Sequence, residues 1–216
     1  MHSVYPINVD GDAAIEIITA EDFWDGTRYH SQLRIWNYTN GNLYLENSID
    51  WFLAGGGNRL YSTYALDIDG DSAIEILTAG YANDGTRDNS QLRIWNYTNG
   101  NLLLENSTDW YLSGNAHVHL VYPINIDGDS AIEILTAGYA SDGTRANGQL
   151  RIWNYTNGNL YLENSTQWYL SGDTIANSIY PINIDGDAAT EILTTGTAWD
   201  GTRWNGQLRI WNYTAG

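Results

Sequence analysis

Cysteine is absent from the 216 residues, so no disulfide framework can be read and the redox compartment is not indicated. Lysine is absent too: the nine basic residues are all arginine and stand against 26 acidic ones, for a formal net charge of −17. A chain of this sign lacks the basic face that releases counterions from nucleic acid or holds an anionic membrane surface, so neither partner is expected. No apolar run approaches the roughly 18 residues a membrane-spanning helix needs, and no segment keeps a helical period of useful length. No secretory leader is read at Met1, where the chain opens directly into repeat material. Proline is confined to Pro6, Pro123 and Pro181, which share one slot of the repeat.

What is present is an acidic nonapeptide written four times: NVDGDAAIE from Asn8, DIDGDSAIE from Asp67, NIDGDSAIE from Asn125 and NIDGDAATE from Asn183. Asp10, Asp69, Asp127 and Asp185 are 59, 58 and 58 residues apart, a fixed period that marks a repeat array. Oxygen side chains fall at loop positions 1, 3 and 5, a glycine at 4 and a glutamate at 9. This is how a short loop wraps one hard cation: alternate side chains converge, the glycine permits the turn, and a later carboxylate closes the shell. The expected side-chain ligands are Asn8, Asp10, Asp12 and Glu16, with the Ala14 carbonyl as a fifth. By the same offsets they are Asp67, Asp69, Asp71, Ala73 and Glu75; Asn125, Asp127, Asp129, Ala131 and Glu133; and Asn183, Asp185, Asp187, Ala189 and Glu191.

Aspartate–glycine pairs are also ordinary turn formers, and one copy would decide nothing. Four copies, each crowding carboxylates that repel one another without a cation, favour Ca²⁺ at about one ion per repeat. Thirteen of the 26 acidic residues lie in these loops, and four divalent ions would take the formal charge from −17 to −9. The glutamate at position 9 excludes an EF-hand, and Mg²⁺ prefers fewer protein ligands. Loops of this kind fill at roughly millimolar calcium, which places the chain at the cell surface or outside the cell.

Each repeat reads as four strands. The first, ending in the acidic loop, carries the prolines and so needs a free edge, as an innermost strand has. The second (AIEIITA in the first repeat) is nearly continuous in apolar residues and suits burial on both faces. A loop with DGTR follows. The third strand, QLRIWNYT, alternates with period two, and an Asn-Gly turn leads to a fourth that ends near Trp51. Trp36, Trp95, Trp153 and Trp211 are expected in the core between repeats, and Trp51, Trp110 and Trp168 as clamps on the fourth strand. Arg28, Arg87, Arg145 and Arg203 (in DGTR) and Arg34, Arg93, Arg151 and Arg209 (in QLRIWNYT) are expected to bond carboxylates or carbonyls.

The fold class is therefore all-β: a propeller of four tandem blades of ~58 residues, at 3–61, 62–119, 120–177 and 178–216. The fourth blade lacks its outer strand and leaves an edge at Gln207 to Thr214. Pairing with a second chain, or membership of a larger propeller, is expected to complete the ring. The DxDGDxxxE loop, running at once into an EILTAG-type strand at this period, resembles the FG-GAP or VCBS repeat family. That family includes integrin α-subunit propellers, lectins and rhamnogalacturonan lyases, and the resemblance implies that the loop between a blade's first two strands binds Ca²⁺.

No catalytic constellation stands out. His2, His30, His117 and His119 share no repeat slot, and the HVH of 117–119 reads as a solvated connection. Aromatics flank DGTR only in the first and last repeats, at Trp24, Tyr29, Trp199 and Trp204, which makes them candidates for a ligand or an interface. The leading expectation is a non-enzymatic calcium-binding propeller for extracellular recognition or adhesion, with carbohydrate as ligand. The alternatives are a self-assembling structural module and, by analogy of fold alone, a polysaccharide lyase.

Overall fold

The computed structural model describes residues 1–187 and 189–213. All of its regular structure is β, in four antiparallel sheets ordered along the chain. Sheet 1 is β1 (Ser3–Ile7), β2 (Ile15–Trp24), β3 (Tyr29–Thr39) and β4 (Asn42–Trp51). Sheet 2 is β5 (Asn58–Leu66), β6 (Ile74–Asn83), β7 (Asp88–Thr98) and β8 (Asn101–Trp110). Sheet 3 is β9 (Ala116–Ile124), β10 (Ile132–Ser141), β11 (Ala146–Thr156) and β12 (Asn159–Trp168). Sheet 4 is β13 (Thr174–Ile182), β14 (Thr190–Trp199) and β15 (Trp204–Tyr213). Thr214, the last residue of the expected third strand of repeat four, lies outside the described residues. Among the described residues no helix is long and apolar enough to cross a membrane.

Every sheet is a simple meander, so local turns fix its register. Asn40–Gly41, Asn99–Gly100 and Asn157–Gly158 all have positive φ (51° and 78° in the first pair), the geometry of a two-residue hairpin whose twist matches its strands. The proline strands pair on one side only: Pro6, Pro123 and Pro181 lie opposite Ile17, Ile134 and Ile192 on the innermost strands. There the missing N–H costs no ladder bond. The second strands of sheets 2 and 3 are buried on both faces over six consecutive residues, as their apolar run requires.

Two strands extend beyond the sequence pattern. Second strands reach ten residues, and the inner strands of sheets 2 to 4 begin at Asn58, Ala116 and Thr174 rather than at 62, 120 and 178. The added pairing crosses a β-bulge that leaves Tyr61, His119 and Asn177 without a partner on the second strand. Opposite each bulge is a glycine. A Cβ at Gly80, Gly138 or Gly196 would sit 1.9 to 2.0 Å from the carbonyl oxygen of Arg59, His117 or Ile175, so no other residue fits. Sheet 1 has Glu21 at this slot and a five-residue inner strand with no bulge.

The core lies between sheets. Leu33 and Ile35 of sheet 1 pack on Ala65, Ile76, Trp95 and Tyr97 of sheet 2. Leu92 and Ile94 of sheet 2 pack on Val118, Val121, Ile134, Trp153 and Tyr155 of sheet 3. Leu150 and Ile152 repeat the arrangement against sheet 4. The third strands β7 and β11 thus give their Leu/Ile face to the next sheet and their Trp/Tyr face to the one before, while β3 makes only the first contact and β15 only the second. Packing runs from each sheet to the next, and among the described residues nothing comparable joins sheet 4 to sheet 1. The arrangement is propeller-like. Along the inner strands Tyr5, Tyr64, Tyr122 and Tyr180 form a ladder with ring centroids 4.5, 5.4 and 6.0 Å apart.

Two expectations about side chains are corrected here. Trp51, Trp110 and Trp168 do not clamp their own strand: each reaches the next sheet, 4.8 to 4.9 Å from Trp95, Trp153 and Trp211. Their indole N–H groups donate to Gln91, Gln149 and Gln207 at 3.2, 3.1 and 3.3 Å. Arg93, Arg151 and Arg209 then lie over both indoles of a pair instead of finding carboxylates. A planar, weakly hydrated guanidinium tolerates such burial where an ammonium would not. Arg34, with no preceding sheet, is the one of its slot that pairs with a carboxylate, Glu21 at 2.8 Å. In the DGTR loops Arg87 meets the expectation by donating to the Ser113 carbonyl at 3.2 Å; Arg28, Arg87 and Arg145 also lie over Phe52, Tyr111 and Tyr169, and Arg203 sits 3.7 Å from Asp200.

Candidate metal centres and an inner-strand polar cluster

The acidic loops join the first strand of each sheet to the second. Glycine at position 4 takes positive φ in all four, 79° to 82°, which folds the side chains at positions 1, 3 and 5 onto one another. Carboxylate oxygens come within 4.8 Å in each loop: Asp10, Asp12 and Glu16; Asp67, Asp69 and Asp71; Asp127, Asp129 and Glu133; Asp185, Asp187 and Glu191. The residues at position 1 shape the loop. Asn8, Asn125 and Asn183 accept from the amides of Gly11, Gly128 and Gly186 and donate to the carbonyls of Asp12, Asp129 and Asp187. Asp67 instead accepts from Gly70 and Ser72. Ala14, Ala73, Ala131 and Ala189 donate their amides to the position-5 aspartates at 2.5 to 2.7 Å.

The closing glutamates test whether these loops suit a cation. Glu16, Glu75, Glu133 and Glu191 are buried, and one oxygen of each accepts the amide of Val9, Ile68, Ile126 or Ile184 at 2.8 to 2.9 Å. Among the described residues the other oxygen of Glu16 and of Glu191 has no hydrogen-bond partner, while those of Glu75 and Glu133 have only a long contact, 3.4 and 3.5 Å, to Asn96 and Asn154. Burial, opposed by the amide bond and reinforced by nearby carboxylates, lifts Glu75 to about 8 and Glu133 to about 7, and raises Glu16 as well. An orphaned buried oxygen beside two aspartates has the donor set and charge that a hard divalent cation satisfies.

The opposite end of the sheets carries a different kind of cluster. His117 and His119 are not in a solvated connection: both lie on the inner strand β9. His117 stacks flat on Tyr81, centroids 3.8 Å apart and planes 7° off parallel. Its Nε2 is 2.9 Å from Asp88 Oδ2, and its Nδ1 is 3.1 Å from the Tyr139 hydroxyl. With Asp88 ionised, Nε2 carries the proton and Nδ1 accepts from Tyr139. Burial alone would raise the Asp88 carboxyl, but bonds from His117 and Asn83 hold it below the ordinary range. Burial raises the Tyr139 hydroxyl, takes Tyr81 to about 12 and lowers His119. The bulge residues Tyr61 and His119 meet edge-on at 5.1 Å, and His119 bonds the Ala176 carbonyl of sheet 4 at 3.0 Å.

This cluster combines residues that occupy equivalent slots but differ from repeat to repeat. Position 139 corresponds to 81, 22 and 197, read as Tyr, Tyr, Asp and Thr; position 119 corresponds to 61, 2 and 177, read as His, Tyr, His and Asn. Aligning the four repeats and marking where they disagree is the signal that finds it. The other candidates remain in two pairs: Trp24 with Tyr29 at 5.1 Å on sheet 1, and Trp199 with Trp204 at 5.8 Å on sheet 4. Those sheets do not pack together, so the four rings form no single site. His30 takes the place that Asn89, Asn147 and Asn205 fill elsewhere, bonding the DGTR aspartate Asp25 at 2.8 Å.

No family model and no curated protein sequence matches the chain. Among solved structures it is similar to a Bacillus licheniformis rhamnogalacturonan lyase PL11, with a TM-score of 0.51 and 16% identity over 88% of this chain and 39% of that one. The rhamnogalacturonan lyase YesW gives 0.48 and 16% over 92% and 45%. The exotype rhamnogalacturonan lyase YesX gives 0.47 and 13% over 92% and 44%. The chain thus spans less than half the length of these proteins. This runs against the expectation of a non-enzymatic recognition or adhesion module, and of a chain that is no enzyme: the fold it matches at a TM-score of 0.51 is that of a rhamnogalacturonan lyase.

Proposed function

We propose that this chain is a calcium-bound β-propeller unit of a polysaccharide lyase, of the FG-GAP or VCBS repeat type, acting on an acidic polysaccharide of the rhamnogalacturonan class. The observation that carries the reading is the likeness of fold to a rhamnogalacturonan lyase along 88% of the chain. The chain spans 39% of the length of that lyase.

Two features of the chain support the chemistry. Elimination from a uronate begins with removal of a proton next to a carboxylate, which needs a base held in a fixed place. Among the described residues His117, oriented by Asp88 and bonded to Tyr139, is the one imidazole hydrogen-bonded to both a carboxylate and a phenol. The acidic loops would hold Ca²⁺ through Asp10, Asp12 and Glu16 and their equivalents, neutralising the glutamate oxygens left without partners. The ion would keep the sheets together at the end away from the His117 cluster.

The test is incubation with rhamnogalacturonan and millimolar calcium, following the ultraviolet absorbance of an unsaturated product end, beside affinity electrophoresis in the same polymer. Product that disappears in His117→Ala supports the reading. Neither product nor retardation contradicts it.

A further inference from the structure

The three junctions between the four sheets are the same junction, and each terminal sheet carries one unused half of it. On the leading side every internal junction offers the Leu/Ile pair of a third strand. Leu33, Ile35, Leu92, Ile94, Leu150 and Ile152 are all within 4% of complete burial, whereas Leu208 and Ile210 of sheet 4 are 63% and 57% exposed. Ile184 is bared beside them, while its equivalents Val9, Ile68 and Ile126 are buried. On the trailing side every junction offers a tyrosine. Tyr97, Tyr155 and Tyr213 are buried and donate to Glu46, Glu105 and Glu163 of the preceding sheet. Tyr38 of sheet 1 is 55% exposed, and Val4, whose equivalent Val121 is buried, is 59% exposed.

A polar atom marks the same vacancy. Gln91, Gln149 and Gln207 accept an indole N–H from the sheet before. Gln32 Oε1 of sheet 1 is buried and has no partner among the described residues.

We propose that the free Leu208/Ile210 face of sheet 4 receives the free Val4/Tyr38 face of sheet 1 of a second copy of this chain, in a head-to-tail assembly. The occupant is a second copy because each bare face has its complement already displayed three times within the chain. Isolated exposed leucines need no explanation; a contiguous patch whose equivalents are all buried does. Such a contact is heterologous, so it closes into a ring or continues as a filament according to the rotation between copies. The partner indole that Gln32 lacks comes from an outer strand in the internal junctions, and sheet 4 has three described strands. The contact between copies is therefore weaker than those within the chain.

Nothing in this inference rests on the lyase reading, and its test leaves that reading untouched. Sedimentation velocity of the intact chain in calcium, across a hundredfold concentration range, should show mass rising to two copies or more. Leu208→Glu and Val4→Glu each change a residue already at the surface, so each should melt like the parent yet sediment as one copy. Mixing the two variants joins one intact sheet 4 face to one intact sheet 1 face and should restore a two-copy species. A single copy at every concentration, an assembly indifferent to both substitutions, or a mixture that stays monomeric would each overturn the proposal.

Discussion

At one end of the sheets four loops carry one pattern, DGD with a closing glutamate, and all four share a positive-φ glycine and a glutamate–amide bond. At the other end the equivalent slots hold Tyr, His, Asp, Asn and Thr in different combinations, and one of them assembles Asp88, His117 and Tyr139. Identity across repeats follows from a shared structural demand, because each sheet must neutralise the same buried carboxylate. Disagreement across repeats is where a repeated scaffold is free to build something that occurs once. The two ends should therefore respond to different perturbations: stability at the acidic loops, activity at the cluster.

The largest effect expected is from removing the cation. A site held at 100-fold above its dissociation constant contributes about 2.7 kcal/mol, and four such sites on the order of 10 kcal/mol. That is comparable to the whole stability of an ordinary domain. Melting in EDTA should fall by at least about 20 °C relative to millimolar calcium. Next comes the junction: Trp110→Ala removes a buried indole packed on Trp153, and should cost about 3–5 kcal/mol by calorimetry. The exposed Trp24→Ala should stay within about 0.5 kcal/mol.

A pH series sharpens the contrast between the ends. Glu75 and Glu133 have folded pKa values raised to about 8 and about 7 from 4.5. Their stabilising contribution is complete below about pH 4.5 and is lost as pH rises through those values. In chelator the melting temperature should therefore drop between pH 5 and 8, and calcium should remove the drop by favouring the ionised carboxylates. A curve with the same slope in both buffers would tie the titration to something other than the loops. Gly138→Ala puts a Cβ against the His117 carbonyl. It should cost more than about 1 kcal/mol and disturb the pitch of β9 beneath the cluster. Tyr139→Phe should leave melting nearly unchanged and lower any lyase activity at constant KM.

Much of the scaffold was legible because its determinants are local. Proline at one slot marked the unpaired inner strand, Asn-Gly marked the outer hairpin, and period-two alternation in QLRIWNYT marked a strand whose two faces meet different neighbours. The acidic clusters were legible for the same reason: aspartate, glycine and glutamate stand at fixed spacing within nine residues, and the glycine turn gathers the carboxylates. What was hidden is what depends on other sheets. Arg93 over Trp51, Trp110 bonded to Gln149 and His117 stacked on Tyr81 join residues 42, 39 and 36 positions apart, and nothing in their own segments signals them. The bulge at Gly138 hid the histidines most completely. It extends β9 upstream into a stretch whose glycine and asparagine read as a connection, and turns HVH from a loop into an inner strand.

Isothermal titration of the demetallated chain with Ca²⁺ tests the central claim most directly. The account predicts four equivalents bound, with the melting temperature rising as they fill and with Glu16→Gln lowering the count to three. Saturation at fewer than four in the parent chain, or four bound with no change in melting, would contradict it.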